Sequence, residues 1–295
     1  MARSSVTRPP SMKGAKDAIG VLSRPGPNAV RYGDLGLAGT PGIVYTPAEG
    51  YGLPAVVLGH GWLQPTRRYH ELLRHLATWG FVAAAPDTQR GPLPSIARFS
   101  SDMNTVLDMC CGVRLGNGLI SVDARRTALL GHGTGGGAAL VAAAVRDRLG
   151  AVVTMAPVET RPSAIAAAPD VTAPTLHLTG ALDPLAPSAR YAEQMALAAG
   201  GDAWVRSIEK AGHLGFCDGR HWSGVLLQQG SQHKTRKITR ALVTAFLMEH
   251  LINEKSVSAL TSGDVPGAPL VDFDGEVDEQ HEQLPLGLLT AADEK

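Results

Sequence analysis

The chain has 295 residues, 44% of them hydrophobic, and its 27 basic side chains balance 27 acidic ones. That length fits one large α/β domain or two small ones. No apolar run is long enough to span a membrane, and the neutral total together with an acidic tail argues against nucleic acid as a partner.

Residues 1–33 carry Arg3, Arg8, Lys13, Lys16, Arg24 and Arg31 against Asp17. They read as a flexible basic segment without a hydrophobic signal core, which places the protein in the cytoplasm as an expectation. The domain is expected over 34–252. Its first clear strand is Ala55-Val56-Val57-Leu58, a short apolar run that ends in Gly59-His60-Gly61-Trp62. A loop of this kind can be an ordinary strand-end turn, or it can supply a backbone N–H that stabilises an oxyanion.

Further along, residues 125–130 read as a buried strand, with two arginines at its exposed start and an apolar run behind them. It leads into Gly131-His132-Gly133-Thr134-Gly135-Gly136-Gly137, followed by an Ala- and Val-rich helix over 135–145. The stretch has the frame of a nucleophile elbow, G-x-S-x-G, with both flanking glycines present. The serine position holds Gly133. Glycine keeps the tight turn and relaxes the strain that a side chain would suffer there, about 1–3 kcal/mol, but it deletes the nucleophile. A phosphate loop is the alternative for a glycine run, and this one lacks the lysine of G-x-x-x-x-G-K-[ST].

Residues 174–180 read as the next buried strand, with Asp183 on the loop at its end. A helix over 188–199 and a strand over 203–208 follow, then His213 on a glycine-bearing loop. Separately, Asp183 reads equally as a turn or cap residue, and His213 as a surface histidine. Taken together, an elbow, an acid and a histidine in that order, each just past a strand, match the chain order of α/β-hydrolases. The backbone N–H of Thr134, next after the elbow position, and that of Trp62 are then the candidate oxyanion donors. Thr134 as a displaced nucleophile, Cys217 as a substitute nucleophile and an engineered loss at Gly133 are weaker alternatives.

Past the histidine, Trp222 and Leu226 lie on an insert able to roof a pocket, and an amphipathic helix is expected over 237–252. Cys110, Cys111 and Cys217 show no disulfide framework, which fits a reducing compartment. His70, His75 and His221 lack metal-ligand spacing with nearby carboxylates, so no metal and no cofactor are expected. Residues 253–295 hold ten acids against Lys255 and Lys295. They read as a flexible acidic tail with a short docking element over 284–289.

From about residue 42 to residue 251 the chain resembles the dienelactone hydrolase and cutinase-like polyester hydrolase branch of the α/β-hydrolases. The resemblance is carried by Leu58-Gly59-His60-Gly61-Trp62, Trp79-Gly80-Phe81-Val82, Pro86-Asp87-Thr88, the elbow run, Asp183-Pro184-Leu185-Ala186-Pro187 and Gly212-His213. It implies a mostly parallel central sheet with helices on both faces. Asp183 takes the role of acid and His213 that of base, and Trp62 is the aromatic beside the oxyanion loop, with Gly61 and His60 on the same loop. The elbow resembles the family's G-H-S-M-G-G-G with Gly133 for serine and Thr134 for methionine. Val158 replaces a tryptophan expected near Ala156-Pro157, and no cysteine pair matches the C-terminal disulfide of secreted members. The expected protein is of esterase ancestry, with weak or absent serine-hydrolase activity and a small ester or acyl compound as its ligand. A non-catalytic ligand-binding pseudoenzyme is the alternative, and the oligomeric state is not legible.

Overall fold

The computed structural model describes residues 7–219 and 232–273. The insert carrying Trp222 and Leu226 and the docking element at 284–289 lie outside the described residues.

Eight strands form one sheet: β1 (Val30–Asp34), β2 (Gly42–Pro47), β3 (Gly50–Gly59), β4 (Val82–Pro86), β5 (Ile120–His132), β6 (Ala151–Met155), β7 (Thr175–Gly180) and β8 (Ala203–Ile208). Their order across the sheet is β1-β2-β4-β3-β5-β6-β7-β8. The first two pairings, β1 with β2 and β2 with β4, are antiparallel, and every pairing from β4 to β8 is parallel. The helices are α1 (Ala15–Leu22), α2 (His70–Thr78), α3 (Ile96–Gly112), α4 (Thr134–Ala143), α5 (Ala164–Ala167), α6 (Ala192–Leu197), α7 (His233–Ile252) and α8 (Ser258–Thr261).

The parallel strands are apolar on both faces because both faces are covered. Val56, Leu58, Ala128, Leu130, Val153 and Met155 share a core with α1, α2, α7 and α8. Their neighbours Ala55, Val57, Leu129 and Val152 belong to the opposite layer, with Phe99, Met103 and Leu107 of α3 and Ala138, Ala139 and Leu140 of α4. The alternation follows from the two-residue period of a strand. It yields the doubly covered, mostly parallel sheet that the resemblance implies.

Several boundaries differ from the sequence expectation, among them those of β5, α6 and α7. β5 begins at Ile120, ahead of residue 125, because Ile120 and Val122 pair with Gly50 and Leu53 at the start of β3 across an irregular register. These residues carry no apolar run of their own. The helix expected over 188–199 shrinks to α6, because the Ser188 carbonyl closes a turn by accepting from the amides of Tyr191 and Glu193. Helix α7 starts at His233, a turn before residue 237.

The core also extends past the limits 34 and 252. Ala18, Ile19 and Leu22 of α1 are buried against α7 and α8. After α7, Val257, Leu260, Val265 and Ala268 are buried in the same layer. Arg206 of β8 anchors this return: its buried guanidinium donates to the carbonyls of Thr261, Gly263 and Ala268. Residues 267–271 then run along the outer edge of β8, with Ser207 N–H to Pro269 O and Val271 N–H to Val205 O. A covered edge strand no longer offers unpaired backbone to another chain.

Candidate active site

Four loops meet at the C-terminal ends of β3, β5, β7 and β8, where open parallel sheets place their ligand clefts. β3 and β5 run in register up to Gly59 opposite Gly131. The turn from β5 into α4 is tight enough that a side chain on Gly131 would strike the backbone of Gly135, and one on Gly135 the backbone of Gly59. That close approach is why both glycines frame the turn.

Between them Gly133 has φ 54° and ψ −120°, a conformation that costs an L-residue about 1–3 kcal/mol. Hydrogen bonds lock it in place. Its N–H donates to Met155 O at 3.0 Å, and its carbonyl accepts from Gly136 at 3.0 Å and Val158 at 3.3 Å. A Cβ built on Gly133 would lie 3.2 Å from His213 Nε2 and 3.8 Å from the Cα of Gly61. A side chain at this position would therefore face the histidine.

His213 Nδ1–H donates to Asp183 Oδ2 at 2.8 Å. The Asp183 side chain is fully covered and that of His213 is 14% exposed. The other carboxylate oxygen, Asp183 Oδ1, accepts from the amides of Leu185 and Ala186 at 2.9 and 3.1 Å. Asp183 thus caps its own loop and also accepts the hydrogen bond of the histidine. With Nδ1 engaged, the lone pair of Nε2 points at Gly133.

The structure sorts the remaining expected residues. Thr134 opens α4, where helix amides are free and the dipole favours negative charge. Among the described residues no acceptor takes the N–H of Thr134 or of Trp62. The Gly61 N–H is not available as a donor, because it gives its hydrogen bond to the Tyr69 hydroxyl at 2.9 Å. His60 turns away from the cleft: Nδ1 contacts Gly61 O, Nε2 contacts Thr88 O, and the ring lies tilted by 45° against Phe99 with centroids 4.6 Å apart. It braces the loop. Trp62 is 53% exposed, and its indole N–H donates to Pro92 O at 3.0 Å. Leu63, next in sequence to Trp62, and Leu93, next to Pro92, are exposed, as are Leu182 and Leu185 on the loop that carries Asp183.

Sequence reasoning missed a buried cluster behind this cleft. His132, fully buried at the end of β5, presents Nε2 to the carbonyl of His213 at 3.0 Å and Nδ1 to the Tyr69 hydroxyl at 2.9 Å. A carbonyl only accepts, so Nε2 carries the proton and Nδ1 receives the tyrosine O–H. Burial lowers the His132 pKa to about 4, which keeps the ring neutral near pH 7. Cys217 is fully buried, its Sγ 3.6 Å from the Tyr69 oxygen. Burial pushes its thiol pKa up, so it is not poised as a nucleophile. His132 stood in the elbow run and offered a signal. Tyr69 offered none.

A family model described as PETase, PET hydrolase-like, matches residues 21–203, a span that includes Trp62, Gly133 and Asp183. Over 165 residues the chain is 30% identical to "Cutinase est1" of Thermobifida alba, a match covering 56% of this chain and 53% of the relative. The matched region thus spans about half the length of that curated relative. With the eight-stranded sheet and the loop cluster described above, these matches show that the chain belongs to the PET hydrolase-like family of α/β-hydrolases.

Proposed function

We propose that this chain binds carboxylic esters or related acyl compounds, and that Asp183 and His213 act on them without a serine. His213 serves as general base for a water, the free amides of Thr134 and Trp62 receive the charge that develops on the carbonyl oxygen, and Asp183 holds the imidazole in its working tautomer. Serine-hydrolase activity is weak or absent. The single observation that carries this reading is the 3.2 Å separation between the Cβ position of Gly133 and His213 Nε2.

The magnitude of the effect sets what to expect. Hydrolases stripped of a triad member retain roughly 10³–10⁴-fold acceleration over the uncatalysed reaction, from the oxyanion donors and binding alone. Such turnover is slow and measurable. The test is p-nitrophenyl butyrate hydrolysis by the parent and by His213→Ala. Slow turnover lost in His213→Ala supports the reading; turnover unchanged in His213→Ala removes it.

A second reading is a non-catalytic ligand-binding protein, which the missing side chain at Gly133 favours. In that case the exposed Trp62, Leu63, Leu182 and Leu185 would hold an apolar ligand. The three free thiols fit a reducing compartment under either reading.

A further inference from the structure

We propose that His132 is the positioning residue of the general base: its Nε2–H holds the main-chain carbonyl of His213, and that hold keeps the imidazole of His213 at working distance from residue 133. The inference rests on the reading of His213 as a general base given above.

His213 sits where regular structure gives it little support. Residues 209–212, which lead to it from β8, form no helix or strand, and Lys210 lies there at φ 58°. His213 itself opens only the short turn His213–Phe216. Asp183 grips the imidazole at Nδ1 from 2.8 Å. That contact fixes one atom of the ring and leaves the ring free to pivot about it. A second attachment on the same residue removes that freedom, and His132 supplies one, its Nε2 lying 3.0 Å from His213 O. The two imidazole rings also lie against each other, centroids 4.7 Å apart and tilted by 43°.

His132 suits this task by its place and by its tautomer. Its main chain is paired in the sheet with Met155 of β6, and the next residue is Gly133. One residue therefore joins the turn to the base, and a single rigid ring spans the two. That ring has no room to drift towards the Trp62 loop, since a Cβ built on Gly61 would lie 2.8 Å from His132 Nδ1 and 3.3 Å from the Tyr69 oxygen. The Tyr69 oxygen accepts the Gly61 N–H, and its own proton faces Nδ1 at 2.9 Å. With Nδ1 accepting, the ring proton stays on Nε2 and points at His213. His132 and Tyr69 are fully buried, where a hydrogen bond is electrostatically stronger than in water. His132 acts through His213, so its loss lowers turnover and leaves substrate binding alone.

The test compares His132→Gln with His132→Asn. A glutamine amide reaches as far as Nε2 and still donates to the His213 carbonyl. An asparagine amide reaches only as far as Nδ1, so it still meets Tyr69 but leaves His213 unheld. Two readouts are taken: p-nitrophenyl butyrate kinetics, and the downfield proton resonance of the His213 Nδ1–H on Asp183. In His132→Asn the expected result is a kcat lower by about 10²-fold, the effect of a misplacement of about 1 Å, with KM unchanged and the resonance broadened away. His132→Gln recovers most of that kcat and keeps the resonance. Parent-like kcat and resonance in His132→Asn overturn the inference. Equal losses in both variants overturn it too, because the ring would then only fill space. Where neither variant folds, nitrogen NMR of the parent decides: a His132 protonated on Nε2 upholds the hold, and one protonated on Nδ1 overturns it. Parent turnover that ignores His213→Ala sinks the proposed function alone, since the resonance comparison still upholds or overturns the hold of His132 on His213.

Discussion

The Tyr69 hydroxyl stands 2.9 Å from His132 Nδ1 and accepts the Gly61 amide at 2.9 Å, tying three functional loops to one buried oxygen. Gly61 leads the loop with Trp62, His132 precedes the turn at Gly133, and His132 Nε2 holds the backbone of His213. Cys217 completes the oxygen's contacts at 3.6 Å. In Tyr69→Phe the ring still fits, but the Gly61 N–H loses its partner and His132 Nδ1 keeps only the Cys217 thiol, at 3.7 Å. Each buried group left alone costs about 1–3 kcal/mol. Urea denaturation of the variant should show a loss in that range, and a midpoint equal to the parent's would contradict the network.

Acid should destabilise the fold below pH 6.5. Burial lowers His75 and His177 to about 3 and His132 to about 4. Between those values and 6.5 the unfolded chain binds protons that the folded chain refuses, so stability falls as pH falls, by at most about 1.4 kcal/mol per pH unit for each histidine. Asp218 opposes this. Burial raises it to about 6, so below pH 6 the folded state takes up the proton first and gains stability. Three groups against one leave a net loss. Urea midpoints at pH 7.5 and 5 should therefore differ, the lower pH being weaker; equal midpoints would mean that the buried histidines do not resist protonation.

Arg206 should control the chain beyond α7. Replacing it by leucine orphans the carbonyls of Thr261, Gly263 and Ala268, which its guanidinium now satisfies. At about 1–3 kcal/mol for each orphaned group, residues 261–271 should detach from the β8 edge before the domain unfolds. Limited proteolysis with mass spectrometry should find new cleavage there in Arg206→Leu. A digestion pattern matching the parent's would argue that Val257, Leu260 and Val265 hold the segment without it.

Much of the sheet is legible in the sequence because strands covered on both faces need unbroken apolar runs. Strand β8 is read at its own limits, and residues 55–58 fall inside β3. The turn at 131–137 is legible for a different reason: close approach of Gly131 and Gly135 to neighbouring backbone admits no other residue. Other features depend on contacts that no local pattern records. The start of β5 exists by pairing with β3, and α1 and the segment after α7 are ordered by burial against one another. At the site, the separate signals at Gly133, Asp183 and His213 become a geometry only in three dimensions. His60 illustrates the opposite case, a residue on the right loop whose side chain faces the wrong way. Tyr69 lies on an unremarkable stretch, and its role arises from the three loops that converge on it.

We propose that Gly133 occupies a nucleophile's place opposite a working acid–histidine pair. Gly133→Ser tests it most directly, with p-nitrophenyl butyrate hydrolysis as the readout. The backbone conformation is already in place, and His213 needs to yield by a few tenths of an ångström to a Cβ at 3.2 Å. The account predicts a gain of roughly 10³-fold or more over the parent, since losing this serine costs hydrolases even more. A folded Gly133→Ser protein that hydrolyses no faster than the parent would contradict it.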